Sequence, residues 1–149
     1  MRLVGLARCR RLVSALLGGA LLAPCAACAE GALAVGLPTD VAKEGVAIGW
    51  VINSENEGWA RARALEFCLD FKDAPPTTRA LCKVVRTFRG ECVAIALDPD
   101  AGTPGVGWGV AVEKDAAERE AMSACKATAG ANRQKFCKVT VLRCDGKDS

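Results

Sequence analysis

Gly105-Val106-Gly107-Trp108-Gly109-Val110 alternates glycine with larger apolar residues; an Ala-rich, helix-patterned segment ending at Cys125 follows, and then Cys137-Lys138-Val139-Thr140-Val141. An earlier stretch has the same order. Val46-Ala47-Ile48-Gly49-Trp50-Val51-Ile52 leads into a helix-patterned segment ending at Cys68, and then to Cys82-Lys83-Val84-Val85. In a strand, residues two apart share a face, so Val46, Ile48, Trp50 and Ile52 form one large-residue face, as do Val106, Trp108, Val110 and Val112. The opposite faces carry only small residues or valine, and in the later stretch Gly105, Gly107 and Gly109 leave that face nearly bare. A short strand precedes each stretch, with Leu33-Ala34-Val35 matching Val93-Ala94-Ile95. On that match Ala32 stands where Cys92 does.

The order is strand, strand, helix, strand, twice, with copies over about residues 31–90 and 91–145 of a single domain spanning 30–149. Strands and helices interleave without a regular βαβ rhythm. The expected fold class is therefore α+β: one largely antiparallel sheet packed by two helices and stapled by disulfides. Ser54-Glu55-Asn56-Glu57 and Asp115-Ala116-Ala117-Glu118 have the form of capping boxes at the helix starts. Asp73 to Thr78, with paired prolines, reads as a turn, and Arg89-Gly90-Glu91 as a hairpin turn. Asp145 to Ser149 reads as a frayed tail.

Residues 1–29 read as a signal peptide. Arg2, Arg8, Arg10 and Arg11 form a basic start, Leu12 to Ala23 is apolar, and Ala27-Cys28-Ala29 fits a small-x-small cleavage site. The apolar run is shorter than the ~18 residues expected of a spanning helix. The alternatives are an uncleaved anchor and lipidation at Cys25 or Cys28, although neither cysteine sits in a good lipobox. Removing the segment changes the charge. Four of the 20 basic residues lie in it and none of the 17 acidic ones does, which leaves 16 against 17, a net charge of −1. The basicity of the whole chain thus belongs to export and gives no reason to propose a nucleic acid or an anionic membrane as partner. No stable membrane insertion is expected after signal removal.

Of nine cysteines, Cys9, Cys25 and Cys28 lie in the signal, and Cys68, Cys82, Cys92, Cys125, Cys137 and Cys144 remain. An even number in an exported chain argues for disulfides, although spacing alone leaves about 15 pairings open. Equivalence of the copies reduces them. Equivalent units close equivalent loops, which gives Cys68–Cys82 and Cys125–Cys137 and leaves Cys92 for Cys144.

The doubled pattern of Leu-Ala-Val or Val-Ala-Ile, Gly-Trp, an Ala/Glu/Arg helix ending in Cys, and Cys-Lys-Val resembles the bacterial secreted family known as domain of unknown function 4189. The resemblance covers about Gly31 to Cys144 and implies export to the cell envelope or beyond. It brings no established catalytic residues. The chain departs from the usual pattern in its longer first loop between cysteines, Leu69 to Leu81.

Chemistry-bearing patterns each have a plainer reading. Gly105-x-Gly107-x-Gly109 lies inside a strand, whereas a dinucleotide fingerprint sits between strand and helix, so a bare face for close packing is the better account. Asp98, Asp100 and Gly102 lack the later ligands of a calcium loop and read as a turn. The chain has no His, which removes His-based triads and His metal ligands. Ser54, Ser123 and Ser149 have no partner base in the pattern. A carboxylate pair drawn from Glu55, Glu57 and Asp98 is the remaining catalytic option, and all three are better read as caps or solvated turns. Lys83, Arg86, Arg89, Lys138 and Arg143 read as a solvated or edge-protecting strand face. Trp50 and Trp108 are expected to be buried structural residues, each with its large face covered by the helix that follows; the alternative is a binding platform for a glycan or a partner protein. Neither catalytic nor metal nor cofactor residues are expected. The expected function is non-enzymatic binding of another protein in the envelope or outside the cell, as an inhibitor, immunity-type protein or effector. A small carboxylate-dependent cell-wall or other hydrolase is the alternative.

Overall fold

The computed structural model describes residues 30–146. The expected signal segment and the last three residues lie outside them. The strands are β1 (Glu30–Gly36), β2 (Ala47–Ser54), β3 (Lys83–Phe88), β4 (Cys92–Leu97), β5 (Val106–Ala111) and β6 (Lys138–Cys144). The helices are α1 (Val41–Glu44), α2 (Glu57–Leu69), α3 (Pro76–Arg79) and α4 (Lys114–Ala129), with a 3-10 turn at Gln134–Phe136. The fold is α+β, as expected. The strands form two antiparallel three-stranded sheets, however, in the orders β2-β1-β3 and β5-β4-β6.

The division into two sheets follows from the alternation of large and small side chains. Leu33, Val35, Ile48 and Phe88 of the first sheet pack in one cluster with Val93, Ile95 and Val106 of the second. The large-residue faces therefore meet each other, as in a sandwich. The small faces take the helices. Ala32, Ala34 and Ala47 pack on Ala60, Ala64 and Cys68 of α2, and Cys92, Ala94 and Ala96 pack on Ala117, Ala121 and Cys125 of α4. The layer order is helix, sheet, sheet, helix. A single six-stranded sheet with both helices on one face would leave its large-residue face in water. The expectation that each helix covers the large face is corrected in the same way: alanine and glycine let a helix backbone come close, and bulky side chains do not.

Gly107 shows how close. A Cβ there would stand 2.2 Å from Cys125 N and 2.4 Å from Ala121 O; at Gly49 it would stand 2.2 Å from both Ala64 O and Cys68 N. The two glycines occupy the same place against their helices, which keeps Trp50 and Trp108 matched. Gly49 pairs with Ala34 and Gly107 with Ala96, so Ala34 corresponds to Ala96 and Glu30 to Cys92. The expected match of Ala32 with Cys92 is off by two residues, because both first strands are runs of small and branched residues that align equally well in either register. The outer strands agree with the corrected register. Ala34 pairs with Val84 and Ala96 with Val139, and a register shift precedes each of these pairs.

The disulfides are Cys68–Cys82, Cys125–Cys137 and Cys92–Cys144, the pairing that loop equivalence suggested. Cys92 and Cys144 face each other across β4 and β6. The residues that match them in the first half are Glu30 and Arg89. These make an ion pair in which Arg89 Nε donates to Glu30 Oε1 at 2.6 Å, with the Glu30 side chain almost fully buried.

Arg89-Gly90-Glu91 is not a hairpin turn, since β3 and β4 belong to different sheets. Nor is Asp145 part of a frayed tail. It is fully buried, and its carboxylate accepts from Asn53 N–H at 2.7 Å and Gly90 N–H at 3.0 Å. Its own N–H donates to Glu91 C=O at 2.8 Å, and Gly146 N–H donates to Asn53 Oδ1 at 2.7 Å. The end of β6 thus holds the β2 turn and the crossing between sheets. Asn53 has φ 56°, a left-handed conformation that asparagine tolerates better than most residues.

Three further local readings change. Asn56, not Ser54, caps α2, accepting from Trp59 N–H at 3.0 Å; Ser54 ends β2. Helix α4 begins at Lys114, before Asp115, and its N-cap Glu113 makes no side-chain cap bond. Pro76 opens α3 rather than only turning the chain, because a first-turn proline lacks an N–H that the helix does not need.

Candidate functional site along β5

Trp50 lies on β2 and Trp108 on β5, each at the edge of its sheet. Both are half-buried members of the layer between the sheets rather than fully buried residues. Their edge position explains this: one flank has a neighbouring strand and the other has none. Their surroundings differ. Trp50 has the Arg143 guanidinium of β6 6.0 Å from its ring centroid. Trp108 stands between two clefts. One, of about 560 Å³, is bounded by Leu37, Pro38 and Val41 of the β1–α1 connection, by Val106 and Trp108, and by Ala124 and Thr128 of α4. The other, of about 470 Å³, lies among Val85 and Arg86 of β3, Trp108 and Val110 of β5, and Glu120 of α4.

The hydrogen-bonding phase of β5 follows from two observations. Gly105 C=O accepts from Asp98 N–H at 2.9 Å, so Gly105, Gly107 and Gly109 turn their backbone groups toward β4. Val106 turns outward, and Thr128 Oγ1 meets both its N–H and its C=O at 2.9 Å. Trp108 and Val110 share the phase of Val106. Among the described residues no hydrogen bond is made to their outward N–H and C=O groups.

The candidate carboxylates Glu55, Glu57 and Asp98 line neither cleft, whose own acids are Asp40 in the first and Glu120 in the second. Asp98 has a fully buried side chain, gripped by Arg133 through two bonds of 2.7 Å; Arg133 also reaches Asp100 at 2.5 Å. The Arg133 guanidinium holds the Asp98 carboxyl below its ordinary pKa, against the opposing effect of burial. Arg133 also stacks on Phe136, 4.3 Å from the ring centroid. The pair ties the β4–β5 loop to the segment after α4. Glu57 lies exposed on α2, 3.8 Å from Arg61, and Glu55 borders a shallow surface cleft with Trp59 and Arg63. These three carboxylates do not converge on one cleft. Among the described residues no group of three or more His, Cys, Asp or Glu is placed to hold a metal ion, and no helix is long and apolar enough to cross a membrane.

Two features went unread in the sequence. Trp59 is 59% exposed on α2, one helical turn before Arg63, which stacks on Phe67 at 4.8 Å. Its spacing from Arg63 and Phe67 marks a second helix stripe beside the alanine stripe. The other is the open edge of β5, which requires knowledge of strand order.

Residues 31–144 match the family model described as domain of unknown function (DUF4189), and the chain belongs to that family. No curated protein and no solved structure matches it.

Proposed function

We propose that this is an exported, disulfide-bonded protein that acts without catalysis, by binding another protein in the cell envelope or outside the cell through the groove beside Trp108. The observation that carries the reading is the largely apolar cleft between Trp108, the Leu37–Val41 segment and α4. Half-buried aromatics beside a concave apolar surface suit protein recognition, because they add contact area at small entropic cost. The three disulfides among the described residues fit an oxidising compartment. The shared register and helix contacts of the two halves support reading them as copies of one unit, of which the second carries the groove. The hydrolytic alternative draws no support from Asp98, whose two oxygens are occupied by Arg133.

The test is recovery of a partner from envelope extract with three baits: wild type, Trp50→Ala and Trp108→Ala. A partner retained by the first two and lost with the third, at unchanged secondary structure, agrees with the proposal. Equal recovery with all three removes the groove from it, and peptidoglycan turnover by the pure protein would replace it with the hydrolase.

A further inference from the structure

We infer that the open edge of β5 takes up an extended peptide segment of the partner as a fourth strand of the second sheet. This rests on the binding reading above and specifies its mode and the chemistry of the ligand. An edge strand presents unpaired donors and acceptors, and an added strand satisfies them. Here the outward groups of Trp108 and Val110 are unpaired among the described residues, while Thr128 closes the edge at Val106. Like β2, the matching edge of the first sheet, β5 carries no charged residue, whereas the opposite edges β3 and β6 carry Lys83, Arg86, Lys138 and Arg143. It therefore lacks the charges that commonly protect an edge from pairing.

The surroundings define the occupant. Helix α4 walls the edge on one side, and the Leu37–Val41 segment with β3 walls it on the other. One extended chain enters such a groove. A second copy of the protein would have to bring its own helix and loop to the same opening. Side chains two residues apart on an added strand are about 7 Å apart and share a face, so one falls on each side of Trp108. The first meets Leu37, Pro38, Val41 and Val106, beside Thr39 and an Asp40 whose carboxylate accepts from Lys43 N–H, and is apolar. The second meets Arg86 on the β3 wall, with Glu120 of α4 across the groove, and is polar or charged. The ligand is an extended segment with an apolar residue and, two positions on, a polar one.

The probe is a random heptapeptide library displayed on phage and panned against the disulfide-bonded protein, with the strongest clone then made as a free peptide capped at both ends. Its sequence should show the apolar-x-polar spacing. Single N-methylation along the peptide should weaken binding tenfold or more at alternate amides and little at those between, a readout that leaves the protein unaltered. Val110→Pro should also weaken it at least tenfold while keeping the fold, because the N–H it removes points away from β4. Binding that ignores N-methylation and Val110→Pro but is lost in Trp108→Ala overturns strand addition and leaves the groove reading standing. Binding indifferent to all three changes overturns both. Failure to enrich any peptide overturns the inference, as does a concentration-dependent dimer of the free protein that Val110→Pro abolishes, since the edge then belongs to a second copy.

Discussion

At the scale of residues, two acids do structural work. Asp145 supplies acceptors to backbone N–H groups at Asn53 and Gly90, positions far away in sequence. Removing a charged acceptor from buried donors costs roughly 1.5–3 kcal/mol per bond, so Asp145→Ala should lose about 3–6 kcal/mol in urea denaturation, with Asp145→Asn losing less. An alanine variant as stable as wild type would show that water replaces the carboxylate. Asp98 makes a pH-dependent contribution. Its carboxyl pKa is lowered in the folded state by Arg133, so the unfolded chain binds the proton more readily and stability rises with pH through this range. The contribution is present above roughly pH 4, the ordinary carboxylate value, and is lost as pH falls through the folded value. Acid denaturation of Asp98→Asn should therefore show a flatter decline below pH 4 than wild type, and identical profiles would contradict the assignment. Neither role was legible in the chain, because Asp145 sits in a polar tail pattern and Asp98 in a Pro/Gly-rich turn pattern. Their partners are set by tertiary contacts.

Among the elements, the contact between strand and helix is the tightest. At Gly107 a Cβ would overlap the α4 backbone, which cannot move aside as a flexible side chain can. Gly107→Ala should destabilise by roughly 2–4 kcal/mol, within the range for overpacking and strain in a core; unchanged thermal melting would contradict the close packing. The alternation that predicts these strands was readable, and so was the bareness of one face. Which face receives the helix was not, since both faces are apolar and periodicity only says that there are two. The register of β1 against β4 was also hidden, because Leu33-Ala34-Val35 resembles both Val93-Ala94-Ile95 and its neighbour two residues on. The corrected register places the Glu30–Arg89 ion pair where the second half has Cys92–Cys144. A Glu30→Cys/Arg89→Cys variant should then form a further disulfide between these two positions. Closing that loop is worth about 4 kcal/mol in the chain-entropy model before strain. Peptide mapping without reductant would show the link, and two free thiols would refute the correspondence.

For the whole molecule, two helix-backed sheets meet through their large-residue faces, and the edge of one of them is left open in a groove. Local pattern could supply the strands, helices and cysteine pairs, but not whether six strands make one sheet or two, since that depends on what covers the large faces. For the same reason the tryptophans could be matched to each other without revealing that edge strands leave both of them half-buried. Strand β5 is an open edge, and amide hydrogen exchange of the free protein tests that most directly. Gly107 and Gly109, which bond to β4, should exchange slowly, and Trp108 and Val110, which face the groove, should exchange much faster. Trp108 and Val110 protected as strongly as the two glycines would contradict the account, because the edge would then already be paired.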